Sequence, residues 1–290
     1  MISIVGRPNV GKSTLTNALV GEKIAIVTNK PQTTRNRICA VVNREGCQFV
    51  FLDTPGLHKA RTRLGDYMVK VVKESVADVD AVLLLVEPIP HIGGPEAELI
   101  RRIKELNVPA VLVINKIDTV EKEELLSVMQ VYGAAHDFAA IVPISAKRNE
   151  GVDELLGLLA QFLPEGPQLF PEDMVTDQPE RQVCAEIIRE KLLLCLDKEI
   201  PHGTAVEITT FSERDDGIID LDATIYCEKA SHKGIIIGKG GAMLKKISTL
   251  ARTDIEAFMG TKVFLQTWVK VKENWRDNMN LIKNFGYRDE

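Results

Sequence analysis

The sequence has no apolar run long enough to cross a bilayer. The longest in its first half, Ala81–Val86, is bounded by Asp80 and Glu87 and suits a buried strand. No charged stretch followed by an apolar core opens the chain, so no secretory leader is expected. Paired cysteines are also lacking. The five (Cys39, Cys47, Cys184, Cys195, Cys227) are scattered without C-x-x-C spacing, which argues against a zinc site or disulfide framework and for buried thiols in a reducing cytoplasm. There is no internal repeat and no low-complexity tract. Nor is there the positive excess of a polycation that binds nucleic acid indiscriminately, since the net charge is −5. What is present is an ordinary globular composition, 45% hydrophobic and 27% charged over 290 residues, enough for two domains.

The charge is unevenly placed. Lys229, Lys233, Lys239, Lys245, Lys246 and Arg252 fall in one stretch that contains no carboxylate. A local basic stripe on an otherwise near-neutral chain predicts one binding face rather than a basic body.

From residue 1 to about 163, short apolar runs (2–5, 48–52, 81–86, 110–114, 140–144) alternate with segments of helical periodicity (14–20, 96–106, 121–132, 152–162). This alternation predicts βαβ units and a mostly parallel sheet with helices on both faces. The runs 38–43 and 47–52, joined by Arg44-Glu45-Gly46, predict one antiparallel hairpin. Residues 164–171 carry three prolines and a glycine, so helices cannot continue there and a linker is expected. Beyond it the pattern is a helix (180–196), two strands (205–211 and 218–227), a glycine cluster, a helix (242–258), a strand (262–272) and a helix from residue 273.

Gly6-Arg-Pro-Asn-Val-Gly11-Lys12-Ser13 follows a strand and opens a helix. Its backbone N–H groups, from Asn9 and Val10 to Thr14, make a concavity for phosphate. Lys12 supplies a point charge for the β- and γ-phosphates, and the Ser13 hydroxyl is a Mg²⁺ ligand. Asp53-Thr-Pro-Gly56 follows the third strand, with Asp53 placed for Mg²⁺ and the Gly56 N–H for the γ-phosphate. Asn115-Lys116-Ile-Asp118 follows another strand. A carboxylate at Asp118 accepts from both N1–H and the amino group of guanine, a pattern adenine lacks. Lys116 offers an aliphatic stem to the base, and Asn115 ties the loops together. Ser145-Ala146-Lys147, after the next strand, offers the Ala146 N–H to guanine O6. Four motifs in this order at strand ends predict a P-loop domain binding GTP and GDP with Mg²⁺.

In the second region, Gly238-Lys239-Gly240-Gly241 is a G-x-x-G within the basic stripe. Such a loop lets backbone approach a nucleic-acid backbone closely. Lys233, Lys239, Lys245 and Lys246 supply charge beside it, and Ile235, Ile236 and Ile237 are expected to line the groove for bases. The element order resembles a KH domain of the type II arrangement.

The motifs look like those of the translation-factor-related GTPases, and Gln32-Thr33-Thr34-Arg35-Asn36 resembles the first switch segment of the Era family. With the C-terminal KH pattern and the Val269-Lys-Val-Lys272 stretch before Trp275, the resemblance covers essentially the whole chain. It implies a GTPase domain over 1–165, a linker over 166–179 and a smaller α+β KH domain over 180–290. It further implies slow GTP hydrolysis and binding of small-subunit ribosomal RNA near its 3′ end, in assembly of the 30S subunit, by a cytoplasmic monomer. Thr34 becomes the Mg²⁺ ligand by this resemblance, with Thr33 as the alternative, and Lys12, Thr34 and Gly56 the residues that act in catalysis. Leu57 stands where Ras-type proteins place a water-orienting glutamine, so unaided hydrolysis is expected to be slow. Two readings of Asn9 stand, a holder of K⁺ beside the phosphates, as in related GTPases, or a residue that only caps the turn. His58 reads as a solvated loop residue. Two rivals are an RNA-binding module with a purely structural nucleotide site, and a membrane-associated cell-cycle regulator that attaches peripherally through the amphipathic stretch 67–77.

Overall fold

The computed structural model describes residues 1–44, 46–57 and 60–287. Two compact units emerge: Met1–Ala25, Thr34–Ala60 and Asp66–Asp177 form the first, and Ile26–Thr33, Arg61–Gly65 and Gln178–Glu290 the second.

The first half of the chain runs β1 (Ile2–Val5), α1 (Lys12–Val20), β2 (Ile38–Arg44), β3 (Cys47–Asp53), α2 (Arg63–Glu74), β4 (Ala81–Val86), α3 (Gly94–Leu106), β5 (Ala110–Ile114), α4 (Lys122–Ala135), β6 (Ala140–Pro143) and α5 (Val152–Leu159). The six strands lie in the order β2-β3-β1-β4-β5-β6, parallel except for β2, which pairs antiparallel with β3. Alternation of side chains across the sheet explains the continuous apolar run of β4. Leu83 and Leu85 join Ile2, Leu15 and Leu155 on one face, while Val82, Leu84 and Val86 join Leu99, Ile103 and Val128 on the other. A strand covered on both sides needs an apolar residue at every position. Because the five parallel strands point the same way, the loops after β1, β3, β4, β5 and β6 leave one edge of the sheet.

The apolar face of α2 is used inside the protein: Leu64, Tyr67, Met68, Val71 and Val72 are all buried. Among the described residues no helix is long and apolar enough to cross a membrane. Residues 166–177, read as linker from their prolines, group with the first unit. Val41 N–H donates to the Val175 carbonyl at 2.9 Å, Ala40 bridges Thr176, and the Gln48 side chain accepts from the Leu169 and Phe170 N–H groups at 2.9 Å. The edge of β2, which would otherwise present unpaired backbone, is thereby occupied.

The second unit contains α6 (Glu180–Cys195), β7 (Ala205–Glu213), β8 (Ile219–Cys227), α7 (Ala230–Ile237), α8 (Ala242–Met259), β9 (Val263–Val271) and α9 (Met279–Asn284). Its sheet runs β7-β8-β9, antiparallel then parallel. Ile188, Leu192, Leu221, Ile225, Ile247 and Ile255 are among the residues of its own core. α6 also buries three consecutive charges, Arg189, Glu190 and Lys191. Each is paired: Arg189 with Glu186 and the Thr33 carbonyl, Glu190 with the Val27 N–H at 2.9 Å, and Lys191 with Glu190 at 2.7 Å and Asp254 at 2.5 Å. Buried charge is tolerated only with such partners. The segment 230–237, expected only as an apolar approach to the glycines, is a helix. The C-terminal stretch is a single 3₁₀ turn, Trp275–Asp277, followed by α9 rather than one longer helix.

Candidate nucleotide site and glycine loop

The loop after β1 ends at Gly11, whose φ of +100° is left-handed and where a Cβ would overlap the Asn115 side-chain amide. Glycine meets both constraints at once. α1 then starts at Lys12, so Lys12, Ser13 and Thr14 stand in its first turn. Lys12 is 6% exposed, and its Nζ donates to the carbonyls of Gly6 at 3.2 Å and Arg7 at 3.1 Å, which curls the loop around the ammonium. Desolvation pulls its pKa down to about 8, against the raising pull of Asp53. Desolvation likewise lifts the Asp53 carboxyl to about 6, opposed first by the Lys12 charge and then by the nearby Ser13 hydroxyl and Thr54 N–H. Those neighbours favour the anion without completing a hydrogen bond, for both Asp53 carboxylate oxygens are buried and without a partner. The Ser13 and Thr34 hydroxyls lie 2.8 Å apart.

Two hydroxyls in contact and an orphaned buried carboxylate form an all-oxygen donor set, which fits Mg²⁺. Among the described residues no cluster of three His, Cys, Asp or Glu exists that would suit a transition metal. Thr33, the alternative ligand, is engaged elsewhere: its hydroxyl lies 2.7 Å from that of Thr28 and donates to the Lys30 carbonyl. Gly56 lies against the backbone of Pro8. Leu57 turns inward to the cluster of Val5 and Val72, so its side chain is core. Asn9 is exposed, with φ +67°. His58 lies outside the described residues.

At the base end, Asn115 is 2% exposed and joins three loops. Its amide donates to the Val10 carbonyl at 2.8 Å, and its Oδ1 accepts from the Ala146 N–H at 3.0 Å. The Ala146 N–H, expected for guanine O6, has Asn115 as its acceptor in this structure. A buried carboxamide must satisfy its oxygen, and Ala146 is the donor that does so. Val10, itself fully buried, contributes through its carbonyl. Asp118 accepts from the Ser145 hydroxyl at 2.7 Å, with Arg148 at 3.7 Å. The Ser145 bond chiefly holds its carboxyl below the usual range, so the group is an anion. Lys147 is exposed beside it.

Sequence reasoning missed Glu87, the residue after β4. Lys116 Nζ donates to Glu87 at 2.6 Å and to the Asn9 carbonyl at 2.7 Å, while Arg7 donates to Glu87 at 2.5 Å and reaches Glu96 at 3.2 Å. Burial pushes the Glu87 carboxyl up, but Lys116 and Arg7 outweigh it and hold the carboxyl below its ordinary value. One carboxylate thus pins the phosphate loop to the base loop. The only signal was its position at the end of a buried parallel strand.

In the second unit α7 leads directly into the glycine loop. Gly238 has φ +73°, and a Cβ there would stand 2.7 Å from that of Met243. Lys239, Lys245 and Lys246 are exposed, Lys233 is half-buried, and Gly240 and Gly241 are left-handed. Ile235 is 50% exposed and Ile237 partly so, but Ile236 is fully buried. It packs in the core beneath the loop and is therefore withdrawn as a base contact. Helical spacing turns successive isoleucines by about 100°, so three in a row cannot share a face.

A strand–loop–helix holding a buried lysine, four loops gathered on one sheet edge, and a separate helix–strand–strand–helix–helix–strand unit define a P-loop GTPase joined to a KH domain. Residues 1–116 match the family described as 50S ribosome-binding GTPase, and residues 199–276 match the KH domain family. The chain belongs to the GTPase Era family. It is 53% identical over 287 residues to GTPase Era of Ruminiclostridium cellulolyticum, covering 99% of this chain and 96% of that one. Against GTPase Era of Clostridium kluyveri the identity is 51%, covering 99% and 98%. A solved structure of an Aquifex aeolicus Era variant bound to GDP·AlF4⁻ superposes with a TM-score of 0.95 at 38% identity, over 99% of this chain and 98% of that chain. An Era structure in complex with MgGDPNP and nucleotides 1506–1542 of 16S ribosomal RNA matches equally, with TM-score 0.95, 38% identity and 99% and 98% coverage.

Proposed function

We propose that this protein binds GTP and GDP with Mg²⁺, hydrolyses GTP slowly, and binds small-subunit ribosomal RNA near its 3′ end through the KH unit during 30S assembly in the cytoplasm. The observation that carries the nucleotide reading is the convergence of Lys12, Asp53 and Asp118 on one sheet edge, with Asp118 held ionised by Ser145. Ser13, Thr34 and Asp53 would hold Mg²⁺, which when bound neutralises phosphate charge. Lys12 offers its ammonium to the β- and γ-phosphates, and the Gly56 N–H is placed for the γ-phosphate. Asp118 accepts from guanine while the stem of Lys116 borders the base. Leu57, being core, orients no water, and slow unaided turnover follows. Gly238, Lys239, Gly240 and Gly241 present backbone and charge to RNA phosphates, with Lys233, Lys245 and Lys246 adding charge and Ile235 and Ile237 apolar surface. The relative whose structure holds 16S ribosomal RNA supports this assignment. Attachment to a membrane through 67–77 is not retained, because that apolar face is buried.

Displacement of labelled GDP tests the base choice. GTP should compete far better than ATP, and Asp118→Asn should transfer the preference to xanthine nucleotides, whose N1 and C2 pattern suits an amide. Equal competition by ATP would sink the reading. For Asn9 we favour the cation-holding role, its position being exposed in the phosphate loop. Turnover should then be faster in K⁺ than in Na⁺ at equal ionic strength, and identical rates would reduce Asn9 to a turn residue.

A further inference from the structure

Helices α6, α7 and α8 pack on the apolar face of the second unit's sheet. On the other, register sets Asp220 opposite Phe264 and Thr224 opposite both Trp268 and Glu207. Near Tyr226 this face is covered, because Tyr226 meets Phe285 at 4.8 Å between ring centroids and Trp275 is wholly buried beside them. Farther along, the face is open: Phe264 is 49% exposed and Trp268 44%. Large aromatics half in water, on a stretch of sheet face that no described element covers, mark a recognition surface.

One rung is already filled, and it displays the chemistry. The Arg214 guanidinium is paired with Asp220 through two nitrogens, one at 2.7 Å, and sits 5.2 Å over the Phe264 ring. A cation stacked on an aromatic beside a carboxylate is the arrangement guanidinium prefers. Among the described residues, the rung of Trp268 repeats the exposed aromatic and the carboxylate with no guanidinium stacked on the ring. Glu207 lies on that rung, its carboxylate fixed by the Tyr226 hydroxyl at 2.8 Å. Asp222 is the diagonal neighbour of Trp268 across β8 and β9, within reach of a large side chain. Glu207 and Asp222 outnumber Lys270, the exposed cation on the next rung of this face, so phosphate is disfavoured here, in contrast to the basic glycine loop.

We propose that this sheet face docks an arginine-containing basic polypeptide segment, one guanidinium lying on Trp268 between Glu207 and Asp222. The proposal rests on this face alone and stands whether or not the glycine loop binds RNA. Arginine is favoured over lysine because a planar guanidinium stacks on indole while pairing with carboxylate in plane.

The full chain is titrated with a fluorescein-labelled nonapeptide of alternating arginine and serine, its lysine counterpart, and a labelled single-stranded RNA ending in the small-subunit 3′ sequence. The arginine peptide should bind at least about fivefold tighter than the lysine one. Trp268→Ala should lower that affinity by about fivefold or more, and Asp222→Asn should lower it in the same direction. RNA affinity and GTP turnover should stay at parental values in both variants. Circular dichroism verifies that they fold, and Asp222→Asn alters no packing volume. Parental peptide affinity in both variants, or equal binding of both peptides, overturns the proposal. So does loss of RNA binding on Trp268→Ala, which would make this an RNA face. A dimer of the parent in sedimentation that Trp268→Ala dissociates would assign the face to a second copy instead.

Discussion

Glu87 stands between two cations that belong to different motifs, and removing its charge tests how far the site depends on that link. Glu87→Gln leaves a shape that can still accept hydrogen bonds, but Lys116 loses its counter-ion and Arg7 keeps only Glu96. Charge-assisted hydrogen bonds of this kind are worth about 1.5–3 kcal/mol when part-buried. The variant should therefore bind GDP about tenfold or more weakly, with fluorescence-labelled GDP as the probe and the fold intact. An unchanged affinity would show that the two loops hold their places without it. Lys12, Asp53, Asn115 and Asp118 were legible before any coordinates, because each chemistry imposes a fixed spacing after a strand. Glu87 was not, since a single carboxylate after a strand has no partner spacing to read. The bond from Ala146 to Asn115 was not legible for a related reason: which acceptor a backbone N–H meets depends on where Asn115 turns, and spacing does not encode that.

At the scale of elements, the parallel sheet and its hairpin were readable from alternation, whereas α7 was not. Gly234 lies inside it, its last turn is three isoleucines, and Lys229 before it supplies no side-chain cap. Local propensity is therefore poor, and burial of Ile236 in the core offsets it. The prolines of 164–171 were a sound sign that helix stops, but they carry no information about the edge strand along which the following residues run. The glycine loop after α7 is where close approach to a backbone is expected. Replacing Lys239 and Gly240 together by aspartate adds bulk and repelling charge there. Binding of single-stranded ribosomal RNA should fall by about tenfold or more at moderate salt, with a flatter salt dependence since one counterion-releasing cation is gone. GTP turnover should be unaffected. RNA affinity equal to the parent's across a salt titration would make the loop an ordinary turn.

At the scale of the whole molecule, each unit closes over its own apolar core, and the two bind different things. A ligand that binds only a folded unit stabilises that unit, by about 2.7 kcal/mol at roughly a hundred times its dissociation constant. GDP should thus raise the melting midpoint of the first unit and leave that of the second where it was. The chain offers a built-in way to see this. Both of its tryptophans, Trp268 and Trp275, lie in the second unit, one half in water and the other wholly enclosed. Its indole emission is therefore blind to the nucleotide-binding half, while the ellipticity of the backbone reports on both. A melt followed by emission should ignore GDP, and the same melt followed by ellipticity should gain a later step. Equal shifts in the two signals would mean that the halves unfold as one. Within the emission itself, the red component comes from Trp268, so a guest seated on the outer sheet face should announce itself as a change in colour with no loss of structure.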